Sequence, residues 1–251
     1  MLCSWTLLLF LAVPAAAQQP PPASSAPGSV GYTVFLQGTP VGHQDVTVRS
    51  DALGLVISGQ GQIAPPIDVI TRRAELRYRP DQTAESLLIE ARIKGVDVTL
   101  ETKFENGSAV SKGMQGDAPI AMTDMASPQS VLLPSVFFGS HAVLARRLAG
   151  AAPGAEFRAF VGPGAGAQVA FRLRTEMTEQ MQFGTSTFDV HHYELVFDNA
   201  GAPLEIDLYA DNVGGLVRSM CRRRVSRSFA TTSPDRFRER TSRQTRATKR
   251  S

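Results

Sequence analysis

Four histidines occur in the 251 residues, and two of them, His191 and His192, are adjacent. Imidazole changes charge near neutral pH, so such a pair suggests a metal ligand or a proton carrier. The neighbours limit both uses. FDVHHYELVF (Phe188–Phe197) reads as a strand, where successive side chains point to opposite faces, so the two rings cannot grip one ion together. Phe188 and Val190 are apolar on one parity, Tyr193, Leu195 and Phe197 on the other. A β-bulge between His191 and Tyr193 is predicted from that change of phase, with a metal or proton-transfer site as the alternative. Arg72, Arg73, Arg77 and Arg79 surround Glu75. Solvated cross-strand ion pairs account for them, and an anion-binding groove on the open face is the other reading. Gly162-Pro163-Gly164-Ala165-Gly166 has the texture of a phosphate loop, but no Lys-Ser/Thr and no helix follow, so it reads as a turn. No G-x-S-x-G is present. No catalytic residue, metal ligand or cofactor is therefore assigned.

The elements that would position these groups are short and alternate apolar with polar residues. Tyr32/Val34/Leu36, Val46/Val48, Leu55/Ile57/Ile63, Ile70/Ala74/Leu76/Tyr78, Leu87/Ile89/Ala91/Ile93 and Val96/Val98/Leu100/Phe104 each predict a strand with one apolar face. Lys94-Gly95 and Asn106-Gly107 mark hairpins; the latter also opens the glycosylation sequon Asn106-Gly107-Ser108. One helix is predicted, with Pro134 in its first turn, Phe137, His141, Leu144 and Leu148 at helical spacing, and Gly150 and Pro153 ending it. Strands resume at Phe157/Ala159/Val161, Val169/Phe171/Leu173, Phe188–Phe197 and Leu204/Ile206/Leu208. About ten strands and one helix predict a mainly β fold: a curved antiparallel sheet or half-open barrel with one α-helix across its open or concave side. Phe104, Phe137, Phe138, Leu144 and Phe171 belong to its core, or line an apolar ligand pocket if the sheet curls without closing.

MLCSWTLLLFLAVPAAAQQ begins with an apolar run and ends in small residues, which predicts a signal peptide over 1–17 and a periplasmic or secreted protein. The run is far short of the roughly 20 residues of a membrane span, so no stable membrane insertion is expected. Residues 18–29 form a Pro/Ser/Ala leader and 30–217 the β-rich domain. Cys3 leaves with the signal peptide, and Cys221 then has no partner for a disulfide. The charge is lopsided: from Arg218 on there are 12 basic and 2 acidic residues, net +10, against 14 basic and 21 acidic before it, net −7. The basic isoelectric point is a property of this tail, 218–251, expected to be disordered. Such a tail neutralises phosphates well, yet an exported protein meets no genomic DNA, so no nucleic-acid partner is expected. Back-translated with GC-rich codons and read from the third base of the Met220 codon, Met220–Pro234 becomes VPAAGLEVVRDDIA, ordinary folded-protein text. A change of reading frame near Arg218–Met220 is the reading this favours.

FLQGTPVGHQDVTV (Phe35–Val48), DVITRRAELRYRPD (Asp68–Asp81), LLPSVFFGSHAVLARRLAG (Leu132–Gly150) and FGTSTFDVHHYELVFDN (Phe183–Asn199) resemble the amino-terminal β-rich domain ahead of the catalytic domain in certain secreted bacterial α/β-hydrolases of serine-esterase or peptidase type. VPAAGLEVVRDDIA resembles the strand and connector leading to the hydrolase. More loosely, the expected fold is similar to the half-barrels of periplasmic lipoprotein carriers. The resemblance covers about Val30–Val217 and implies an accessory, non-catalytic domain whose partner is a hydrolase catalytic domain. A nucleophile of that family sits on G-x-S-x-G, so no position here inherits a catalytic role. The alternatives are a free-standing periplasmic carrier for an apolar, lipid-like small molecule, and an enzyme with an unrecognised site.

Overall fold

A computed structural model describes residues 29–222, apart from 165, 184, 200 and 201. The predicted signal peptide, all but the last residue of the leader, and the tail from 223 on lie outside the described residues. Eight strands follow one another as a meander: β1 (Val30–Leu36), β2 (Thr39–Asp51), β3 (Gly54–Ile63), β4 (Val69–Tyr78), β5 (Ala84–Ile93), β6 (Val96–Glu105), β7 (Ser108–Gln115) and β8 (Ala118–Met125). They form one large antiparallel sheet in chain order. A second sheet, in the order β14-β13-β12-β11-β10-β9, contains β9 (Val131–Leu132), β10 (Glu156–Phe160), β11 (Gln168–Phe183), β12 (Ser186–Phe197), β13 (Leu204–Ala210) and β14 (Leu216–Arg222). It curls into a half-barrel, antiparallel except where β9 runs parallel to β10. This is the predicted fold class with more strands than the alternation revealed.

Local chemistry sets the first sheet's register. Lys94-Gly95 and Asn106-Gly107 all have positive φ (48°, 80°, 50° and 77°), the geometry whose twist matches that of flanking strands. Leu87, Ile89 and Ala91 are buried on the inner face as predicted. Ile70 is not: a bulge at Arg72 interrupts the β4–β5 pairing, so Val69 and Thr71 face inward before it and Ala74, Leu76 and Tyr78 after it.

The helix is shorter than predicted. α1 runs His141–Leu148 behind one 3-10 turn, Phe138–Ser140, and Pro134 lies outside it in a turn closed by Phe137 N–H donating to the Pro134 carbonyl. The buried Gln44 and Thr71 side chains both donate to the Val136 carbonyl, at 3.0 and 2.8 Å, while Phe138 N–H donates to Gln44 Oε1 at 2.8 Å. Those bonds use sheet side chains to satisfy loop backbone that helix formation would otherwise satisfy. Among the described residues no helix is long and apolar enough to cross a membrane.

One core joins both sheets. Phe104 of β6 meets Phe160 of β10 edge to face at 5.0 Å, and Leu132 N–H donates to Tyr78 Oη at 2.7 Å. At the opposite edge Tyr32 Oη donates to the Leu216 carbonyl at 3.0 Å, tying β1 to β14. The final strand runs to Arg222, so the sheet takes in Arg218–Arg222, residues the sequence reading assigned to the basic tail.

Candidate functional site

The five residues predicted to line an apolar pocket are placed in or against the packed core. Phe104, Phe137, Leu144 and Phe171 are buried in it, with Phe171 stacked on both Phe157 and Phe197; Phe138 is half-buried against its edge. Phe137 is the plug between the sheet and the loop. A Cβ at Gly59 would lie 2.8 Å from its ring, and one at Gly139 would lie 2.5 Å from it.

The chemistry-bearing groups gather on the outer face of the half-barrel, around His192. The predicted bulge between His191 and Tyr193 is absent, since β12 pairs without interruption on both sides there. The extra residue is Arg174, on the neighbouring β11. The change of phase has another cause: β12 is covered on both faces. Tyr193, Leu195 and Phe197 enter the core, while Val190, His192 and Val196 are buried on the other face, outside the core cluster. A strand buried on both sides loses its alternation.

His191 and His192 do diverge, as expected. The His191 ring faces Glu176 at 3.2 Å, whereas His192 Nδ1 lies 2.7 Å from Glu179 Oε1 and Nε2 lies 3.0 Å from Asp207 Oδ1. Tyr209 stacks on the His192 ring with centroids 4.3 Å apart. With a carboxylate on each nitrogen, both must carry protons, so the ring acts as imidazolium. Burial opposes that charge, but the hydrogen bonds to Asp207 and Glu179 outweigh it and raise the pKa above the ordinary histidine value.

The ladder continues across the sheet. Arg222 Nε donates to Asp207 Oδ2, and its Nη2 lies 2.9 Å from Glu194 Oε1. Arg174 Nη2 donates to Glu205 Oε1 at 2.5 Å, with Glu194 at 3.9 Å. Glu194 and Asp207 are direct cross-strand partners, a like-charge pairing that is unfavourable unless cations join it. Arg174 and Arg222 are those cations. Donor atoms of His192, Glu194 and Asp207 lie within 4.8 Å of one another, close enough to surround a metal ion. Here, however, the guanidinium of Arg222 binds both carboxylates, and the histidine nitrogens are engaged. The arrangement is a closed chain of charge-assisted hydrogen bonds.

A nucleophile-and-base geometry occurs at His141, whose Nδ1 is 2.9 Å from Ser219 Oγ. Burial pushes the His141 pKa down to about 4, which makes it a poor base at neutral pH. Its neutral form is the folded form. The unfolded chain therefore binds a proton first, and stability present above about pH 6.5 is lost as pH falls toward 4. Because the residue is partly exposed, the loss is expected to be about 1 to 2 kcal/mol, less than the full shift implies. Urea unfolding of His141→Asn at pH 7 and pH 4.5, beside the parent chain, checks this: the variant should show a smaller difference.

The arginine-rich strand is mostly neutralised. Arg73 and Arg77 bracket Glu75 at 3.1 and 2.6 Å, and Arg72 and Arg92 share Asp97 at 2.7 and 3.1 Å. The Glu75 contacts lie along one strand, where cross-strand pairs were expected. Arg79 stands apart: it lines an open groove of about 440 Å³ with Phe104, Asn106, Ser108 and Pro128. In the Gly162–Gly166 turn, Gly164 N–H donates to Asp124 Oδ2 at 3.0 Å, so that loop's amide serves a side chain of β8.

The fold defines a mainly antiparallel β protein, a large sheet closed over a half-barrel. No protein-family model matches the chain, and no curated protein matches it. Among solved structures, a DUF1089 family protein from Pseudomonas aeruginosa aligns with 75% of this chain and 94% of its own, at 15% identity and a TM-score of 0.46.

Proposed function

We propose that the chain is an exported, non-catalytic β-rich domain, the accessory partner of an α/β-hydrolase catalytic domain, working in the periplasm or outside the cell. The observation that carries this reading is how the ionisable groups are spent. His192, Asp207, Glu194 and Glu205 are bound up with one another and with Arg174 and Arg222, and burial leaves the His141 ring beside Ser219 only weakly basic. A catalytic base needs a free lone pair at the operating pH. By contrast, Met114, Met122 and Met125 stand out on the adjacent strands β7 and β8, Met125 with 88% of its surface exposed. Exposed methionines repack readily against varied partners, and here Met114 and Met125 lie on one face of the strand pair and Met122 on the other.

Reading the genomic bases from the Arg218 codon onward tests the proposal. One forward frame is expected to encode a domain with G-x-S-x-G followed by Asp and His. Stop codons in all three frames close downstream, or ester hydrolysis by the chain itself that disappears in His192→Gln, would overturn it. The rival reading, a carrier for an apolar molecule, needs an apolar cavity of several hundred Å³. The aromatic side chains nominated for it are packed in the core or at its edge.

A further inference from the structure

We propose that the groove beside Arg79 binds the oxyanion group of a small polar molecule of monosaccharide size, with Arg79 as the anchor. Three features carry this. First, the guanidinium is held in place from two further strands: Nη1 donates to the Ala84 carbonyl at 2.8 Å and reaches Thr83 Oγ1 at 3.4 Å, and Nη2 donates to the Phe104 carbonyl at 3.3 Å. All are neutral acceptors. Among the described residues no carboxylate lies within 4.0 Å of this half-buried cation, unlike Arg72, Arg73, Arg77 and Arg92 on the same sheet. Asp81, the nearby acid, feels the Arg79 charge from beyond contact distance, while its carboxylate accepts hydrogen bonds from Thr83 N–H at 2.9 Å and Thr83 Oγ1 at 2.7 Å. Second, a preorganised guanidinium with donors to spare is the group best shaped for carboxylate or phosphate.

Third, the groove offers partners for hydroxyl groups. Glu105, Asn106 and Ser108 line it from the β6–β7 hairpin, residues able to pair with hydroxyl groups. A volume of about 440 Å³ lies in the range of small-molecule sites. An oxyanion on Arg79 with hydroxyls toward Glu105, Asn106 and Ser108 describes a sugar acid or sugar phosphate, whereas a purely apolar ligand would leave these groups unpaired. The site is independent of the accessory-domain reading, because it lies within this chain and needs no hydrolase.

Titration calorimetry of the full chain with glucuronate, glucose 6-phosphate and glucose tests it. At least one anionic sugar is expected to bind with Kd of about 1 mM or tighter, and glucose at least about tenfold more weakly. Which anion binds identifies carboxylate or phosphate as the source. Arg79→Gln should weaken binding at least about tenfold. Where that variant does not fold, Ser108→Glu places a negative charge in the groove, leaves the bonds of Arg79 intact, and should weaken binding as much. No heat from either anion up to about 10 mM, equal binding of glucose, or unchanged affinity in the folded variant would overturn the proposal.

Discussion

Phe137→Ala is expected to destabilise the fold by about 3 to 5 kcal/mol, the largest effect of any single truncation considered. Its ring has 0% exposure and is wedged where neither Gly59 nor Gly139 has room for a Cβ. Removing it costs the transfer energy of the ring and leaves a void that backbone on both sides, fixed by the Gln44 and Thr71 bonds to Val136, is poorly able to collapse. A domain of this size loses about 2 to 4 °C of melting temperature per kcal/mol, so a fall of roughly 10 °C is expected by calorimetry. Phe138→Ala, at the half-buried neighbour, should cost much less. A cost below about 1 kcal/mol for Phe137→Ala would mean that the ring borders open or hydrated space, the pocket geometry that a lipid carrier requires. The variant should also gain affinity for benzene that the parent chain lacks, because a void lined by apolar groups stays dry and takes small apolar guests.

Arg222→Ala should cost about 2 to 3 kcal/mol, an unusual loss for a residue near the end of a sheet. The side chain is 42% exposed, yet it serves Asp207, whose side chain is 3% exposed, and Glu194. Breaking a buried pair from one side leaves an uncompensated charge, which is why the cost exceeds that of a surface salt bridge. Part of the penalty is relieved because Asp207 retains His192 and Glu194 retains Arg174 at 3.9 Å. Arg222→Lys should recover only part of it, since an ammonium cannot fork between two carboxylates. Chemical denaturation of the three proteins checks this. Stability within about 0.5 kcal/mol of the parent for Arg222→Ala would show that β14 ends before Arg222.

What the sequence disclosed and what it withheld divide along physical lines. The Asn106-Gly107 and Lys94-Gly95 hairpins were legible because their turn chemistry is local, and the inner faces of β5 and β6 because one side is wet. β7 was implied only by the Asn106-Gly107 hairpin, and β8 was missed: it is so exposed that alternation is faint, with no position buried. Ile70 was placed on the wrong face because a bulge at Arg72 depends on the partner strand. The ionic ladder was the largest omission. His192 was noticed, but Glu205 and Asp207 looked like ordinary outward positions of LEIDLYA. Only the cross-strand pairing of Glu194 with Asp207 reveals the need for cations, and one of those, Arg222, lay in a stretch that resembled a tail.

The claim on which the account rests is that His192 is a structural cation, spent between Glu179 and Asp207. Nitrogen-15 NMR of its imidazole across pH 5 to 9 tests this most directly. Both ring nitrogens are expected to carry protons at neutral pH, with titration displaced above the ordinary histidine range and stability declining as pH rises through it. A neutral ring with one bare nitrogen at pH 7 would contradict it, and would return His192 to the list of groups able to hold a metal or take a proton.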